Sequence, residues 1–129
     1  MDMKLELDLL RELLLYVEEK ADRPVSALED ITIEGWTREQ IAYHVIIAAE
    51  DGLIKAIIDD VPDTEDPDIV NVAYIVNRLT GRGHEMLGVI RAPKHWRWIK
   101  AQSSKVGVAT VGALFKLGQD YVKMELGLG

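Results

Sequence analysis

The sequence predicts an α+β chain that is mostly α, with one β-hairpin and additional C-terminal helices. Three observations carry this prediction. Leu5, Leu9, Leu13 and Val17 recur at four-residue spacing, the repeat of one helix face. Two runs rich in β-branched residues, Leu53–Ile58 and Val70–Leu79, flank an acidic stretch with two prolines, the pattern of strand, loop, strand. After Thr80 the chain returns to helical periodicity, punctuated by Gly and by Pro93. At 129 residues the length fits one domain, with a core over about 3–91 and a helical extension over about 93–127.

Taken in order, residues 3–20 read as a helix whose stripe is widened by Leu10 and Leu14. Lys4, Asp8, Arg11, Glu12 and Glu18 occupy the rest of its surface, and Asp22-Arg23-Pro24 ends it because the proline ring cannot continue a helix. Ile31-Thr32-Ile33 is a short strand candidate before a turn at Gly35. Thr37-Arg38-Glu39-Gln40 matches the capping box, so a second helix should run to about Asp51. Gly52 supplies the left-handed position after it, and Leu53 packs back in a Schellman arrangement. Segment 59–68, with six acids and two prolines, should be an exposed loop.

Thr80 caps a third helix over roughly 82–91, weakened by Gly81, Gly83 and Gly88. Pro93 opens a fourth over 94–104. A last helix spans about 108–126, with Val108, Val111, Phe115, Val122 and Leu126 on one side. Gly112 and Gly118 within it are candidates for close helix–helix approach.

The chain carries 15 Lys+Arg against 22 Asp+Glu, a net charge of −7. That figure conceals a split: residues 1–70 hold 19 acids and 6 bases, whereas residues 71–129 hold 3 acids and 9 bases. Such asymmetry points either to a basic binding face or to complementary packing of an acidic and a basic layer. The absence of cysteine excludes disulfides, thiolate catalysis and Cys-ligated metal sites. No apolar run reaches 18 residues, and Asp2, Lys4 and Glu6 interrupt the N-terminus. Neither a membrane span nor a signal peptide is therefore expected, and the expected location is cytoplasmic.

Helix, short strand, capped helix ending in Gly-Leu-Ile, then hairpin is the element order of a winged-helix domain with a reduced helix-turn-helix. The residues Ile41-Ala-Tyr-His44, Glu50-Asp51-Gly52-Leu53-Ile54, Arg78-Leu79-Thr80, Gly83-His84-Glu85 and Leu87 resemble a family of small uncharacterised bacterial and phage proteins with a winged-helix core. The resemblance runs from Met3 to the Leu126-Gly127-Leu128 ending. It implies a winged-helix core with C-terminal helices, and brings no assigned activity with it.

A winged-helix protein reads DNA with its second helix. Here Ile41, His44, Val45 and Ala48 form that helix's core face, leaving Glu39, Ala42, Tyr43, Ile46 and Glu50 outward. Base and phosphate contacts favour Arg, Lys, Asn and Gln, of which only Arg38 and Gln40 are present. The acidic hairpin tip would repel a phosphate backbone. The segment 78–105 is different, with Arg78, Arg82, Arg91, Lys94, Arg97, Lys100 and Lys105 against Glu85 alone. Its Lys94-His95-Trp96-Arg97-Trp98 interleaves bases with aromatics, as phosphate contact with base stacking requires. The other reading is that Trp96 and Ile99 anchor a helix while its bases pair with the acidic half.

The leading expectation is a non-enzymatic nucleic-acid-binding regulatory protein acting through Arg38, Arg78, Arg82, Lys94, Arg97 and Lys100. The alternative is a protein-interaction or dimerisation module without DNA binding. It rests on Tyr43 and Ile46, an apolar strip that the C-terminal helices, a partner or a second copy must cover. No cofactor, metal or membrane partner is expected. His44 falls on the core face as a structural residue and His95 is expected to be exposed. His84-Glu85 begins a zincin motif, but Gly88 stands where the second ligand belongs. Thr80-Gly81-Arg82-Gly83 lacks the Lys-Ser/Thr of a P-loop, segment 59–68 lacks the glycine of a calcium loop, and Ser26, Ser103 and Ser104 lie in no nucleophile motif.

Overall fold

A computed structural model describes residues 3–106 and 110–127. Along the chain it has helix α1 (Leu7–Lys20), helix α2 (Arg38–Glu50), strands β1 (Ile54–Pro62) and β2 (Val70–Leu79), then helices α3 (Gly81–Ile90), α4 (Pro93–Val106) and α5 (Val111–Glu125). The fold is mostly α with one antiparallel hairpin, as the periodicities predict.

Helix α1 is the centre of the core. It buries Leu9, Leu10, Leu13, Leu14 and Val17, each worth about 2 kcal/mol in removed apolar surface, and packs against α2, α3 and β2. It begins four residues later than the leucine repeat suggests. Glu6 offers no side-chain cap, and its backbone N–H instead donates to His44 Nε2 at 2.9 Å, holding the preceding chain extended.

The strand expected at Ile31–Ile33 does not form. An isolated antiparallel bridge at Leu28 and Val76 replaces it. Asp30 then takes a left-handed backbone (φ 43°) that turns the chain away from β2, and the Ile31 N–H donates to the Tyr74 hydroxyl at 2.9 Å rather than to a carbonyl.

Around α2 the predicted caps are present. The Thr37 hydroxyl accepts from Gln40 N and the Gln40 side chain accepts from Thr37 N. Gly52 sits at φ 72°. Its N–H donates to the Ala49 carbonyl and that of Leu53 to the Ala48 carbonyl, the two bonds of a Schellman close. Strand β1 runs past its expected end, so Asp59 to Pro62 belong to the ribbon and the loop shrinks to 63–69. Both strands have free edges there, where a proline without N–H and charged side chains are tolerated. A bulge between Lys55 and Ala56 leaves Asn77 unmatched. Asn77 instead exchanges hydrogen bonds with Ser26: its Nδ2 donates to the Ser26 carbonyl and its own carbonyl accepts from Ser26 N.

Helix α3 is capped by the Thr80 hydroxyl, which accepts from Gly83 N. Helix α5 buries Val111, Leu114, Gly118 and Tyr121. The expected stripe is thus rotated: Phe115 and Val122 are half-buried and Leu126 is 67% exposed, while Val108 lies outside the described residues. Gly118 explains the rotation, since a Cβ there would stand 2.5 Å from Val89 Cγ2. Gly112 has open space around it and marks no close approach.

Candidate functional site

The acidic and basic halves of the chain are joined through α1. Asp8 accepts from Trp96 Nε1 at 2.9 Å and from Lys100 Nζ at 2.8 Å. Burial alone would raise its carboxyl, but hydrogen bonds from Lys100 and Trp96 and the charges of Lys100 and Arg11 hold it below the ordinary value. Arg11 donates to the carbonyls of Ile90 and Arg91, closing the end of α3, and its guanidinium lies 5.6 Å from the Trp96 ring centroid. Two turns along α1 from Arg11, Glu18 forms a two-pronged ion pair with Arg91. This pair holds the Glu18 carboxyl below its ordinary range. Trp96 and Ile99 are buried, so α4 is anchored by them.

These contacts decide where the predicted basic residues stand. Lys100 is paired with Asp8, Lys94 with Glu125 at 3.3 Å, and Arg38 with Asp30 at 2.6 Å. Arg82 donates from Nε to the Asp51 carbonyl at 3.0 Å and covers the Phe115 ring. Arg78 donates to the Leu79 carbonyl beside it. Among the described residues Arg97 and Lys105 are the members of the segment whose side chains form neither an ion pair nor a hydrogen bond to protein. The six proposed nucleic-acid-binding residues are spread over several elements: Arg38 opens α2, Arg78 and Arg82 flank the β2–α3 turn, and Lys94, Arg97 and Lys100 lie on α4. On α4 the helical period puts Lys94, Arg97, Ala101 and Lys105 on one outer stripe, with no acid anywhere on the helix. His95 is half-buried, not exposed, and its ring packs against Tyr121 with centroids 4.5 Å apart.

His44 is buried as predicted. Its Nε2 accepts from Glu6 N, so Nδ1 carries the proton donated to the Gln40 carbonyl at 2.8 Å. Burial pushes this imidazole below its ordinary value, so it is neutral and already committed on both nitrogens.

Tyr43 and Ile46 do face away from α1, but the hairpin borders them. They line a groove of about 480 Å³ between the outer face of α2 and the far half of β2. Met3, Ile31 and Ala42 complete one wall and Val70, Val72 and Tyr74 the other, with Asp30, Arg38 and Glu39 on the rim. The strand contribution follows from alternation, because Val70, Val72 and Tyr74 share one face of β2. Nothing local to α2 announces this wall, which becomes visible only when the hairpin is folded back. Burial pushes the Tyr74 phenol above its ordinary value, and it accepts from Ile31 N, which fixes the groove floor. Beyond the groove the hairpin tip carries the acids. Asp63 accepts from Glu65 N and Asp66 N, so part of that acidity shapes the turn. Among the described residues no group of three or more His, Asp or Glu is placed to hold a metal ion, and no helix is long and apolar enough to cross a membrane.

Residues 4–109 match a family described as Hypothetical protein (DUF2513). A protein of Haemophilus influenzae printed as "Uncharacterized protein" is 32% identical over 125 residues, covering 96% of this chain and 99% of the relative. No solved structure matches.

Proposed function

The chain belongs to that family of hypothetical proteins, and from this premise we propose that it is a non-enzymatic protein-interaction module of the bacterial or prophage cytoplasm. Its binding site is the groove between α2 and β2, and its ligand is an apolar protein segment flanked by Lys or Arg. The observation that carries this reading is the groove itself. Tyr43 and Ile46, apolar and turned away from the core, line a concave site walled by β2, as peptide grooves are. With Asp30 paired to Arg38, Glu39 on its rim and the acids of the adjoining hairpin favour a basic ligand and disfavour a phosphate backbone. The helix–helix–hairpin order is compatible with a winged-helix core whose groove serves protein rather than DNA.

Affinity capture from the native host with the wild-type chain, the Tyr43→Glu and Ile46→Glu variants and Arg97→Glu tests this. One defined protein is expected with wild type and Arg97→Glu, and is lost with either groove variant. The partner's binding segment should then be recovered as a basic, apolar peptide that binds the groove directly. A partner retained by both groove variants overturns the reading.

A second reading, nucleic-acid binding, is favoured by the outer stripe of α4, which combines Arg97 and Lys105 with a helix free of acids. It calls for binding of a labelled duplex that falls steeply with salt and is lost in Arg97→Glu. No duplex binding at about 0.15 M salt removes it.

A further inference from the structure

Strand β1 has an open edge. Its nine residues pair with β2 alone, and among the described residues no other backbone hydrogen bond reaches residues 55–62 from the far side. The far edge of β2, by contrast, is bonded by Ser26 and Leu28.

The direction of the free backbone groups follows from the ladder. Val76 gives both its N–H and its carbonyl to Leu28, so its pairing with Ala56 is a non-hydrogen-bonded one. The bond from Asp63 N to the Ile69 carbonyl sets the same alternation from the other end. The N–H and carbonyl groups of Ala56, Ile58 and Asp60 therefore point out of the open edge. Pro62, which has no N–H to offer, falls in the same series.

Side chains alternate with this backbone pattern. Lys55, Ile57 and Asp59 share the outer face of the ribbon, and Ile57 is 57% exposed. Among the described residues neither Lys55 nor Asp59 forms an ion pair. We propose that two copies of this chain join edge to edge through β1, antiparallel, about a two-fold axis at Ile57. That register bonds Ala56 to Ile58 of the second copy, and Ile58 to Ala56, through the outward-pointing groups. On the outer face it sets Ile57 against its own copy, flanked on each side by Lys55 opposite Asp59. Pairs of this non-hydrogen-bonded kind bring side chains closest.

Only this two-fold register matches the charges. An axis at Ile58 sets Asp59 against Ile57, an axis at Ala56 sets Lys55 against Ile57, and an axis at Asp59 sets that acid against itself. The charges that guard the edge against other strands thus select a second copy of the same strand. The product is a closed four-stranded sheet in the order β2–β1–β1–β2, an isologous dimer. It leaves the α2–β2 groove open, because that groove lies at the opposite edge of the ribbon.

Sedimentation equilibrium of the full chain tests the pairing. A dimer is expected at about 100 µM, with Lys55→Glu and Asp59→Lys each weakening it by about tenfold or more, since each replaces two attractive cross-strand pairs by two repulsive ones. The double variant Lys55→Glu/Asp59→Lys reverses both pairs and should return to within about threefold of wild type. Both positions are exposed, so thermal unfolding of the variants should match wild type at a dilution where every form is monomeric. A monomer at that concentration, single variants without effect, or a double variant as weak as the singles overturns the proposal.

Discussion

The indole N–H of Trp96 donates to Oδ1 of Asp8 at 2.9 Å, across 88 residues of chain. Lys100 closes on the other oxygen of the same carboxylate. The charge split along the sequence is thereby turned into contact: an acid of the first helix holds the fourth helix by an aromatic and a base one turn apart. With Glu18 and Arg91 repeating the theme beside it, part of the basic segment is an internal seam.

Replacing Asp8 by Ala should cost about 1–2 kcal/mol, because a half-buried indole N–H and an ammonium lose their shared acceptor. Urea unfolding followed by circular dichroism measures it, with Trp96 fluorescence reporting the α1–α4 seam.

The carboxyls of Asp8 and Glu18 are held below their ordinary values in the folded state. A depressed folded pKa means that the unfolded chain binds the proton first. Their contribution is complete above the ordinary carboxylate range and is lost as pH falls through that range toward the folded values. Stability measured from about pH 6 down to pH 3 should fall, and Asp8→Asn should flatten the part due to Asp8.

His44 titrates in the same sense at higher pH. Its imidazole is depressed by burial, so stability is full above about pH 6.5 and declines as pH falls below the ordinary imidazole value. His44→Gln should remove that slope. His44→Ala should cost about 2–3 kcal/mol, from a cavity and a stranded Glu6 N–H.

The helix glycines divide by sign. A Cβ on Gly83 would stand 2.1 Å from the Leu53 carbonyl oxygen, a backbone atom that cannot turn aside. Gly83→Ala should destabilise by about 2–3 kcal/mol. Gly118→Ala meets Val89 Cγ2 at 2.5 Å and Cβ at 2.8 Å, so it should also destabilise, and Val89→Ala, which removes Cγ2 but keeps Cβ, should relieve part of the cost. Gly88 and Gly112 have open space, and alanine there should stabilise by about 0.5–1 kcal/mol through helix propensity. Thermal unfolding of the set checks all four.

Features closed within a few residues are legible in the sequence. The Thr37–Gln40 box, the Gly52 close and the Thr80 cap each involve neighbours and recur in the structure as read. Features decided by distant partners are not. Ile31–Ile33 has strand composition, yet the Tyr74 hydroxyl and the left-handed Asp30 take it out of the sheet. The face of α5 was read from its apolar residues, whereas the position that touches α3 is a glycine. Of the groove, Tyr43 and Ile46 were visible as an uncovered strip. The wall supplied by Val70, Val72 and Tyr74 depends on where the hairpin folds back, which no local pattern states.

The placement of α1 has a consequence for how the protein is made. Arg11 finds its acceptors 79 and 80 residues downstream, and Asp8 its donors 88 and 92 residues downstream. During synthesis the leucine face of α1 is covered by α2, β2 and α3 as they emerge, whereas its Asp8 carboxylate waits for α4. A nascent chain stopped before α4 therefore keeps Asp8 without its indole and ammonium partners and lacks the buried Trp96 and Ile99, so the last part of the core closes only when α4 docks.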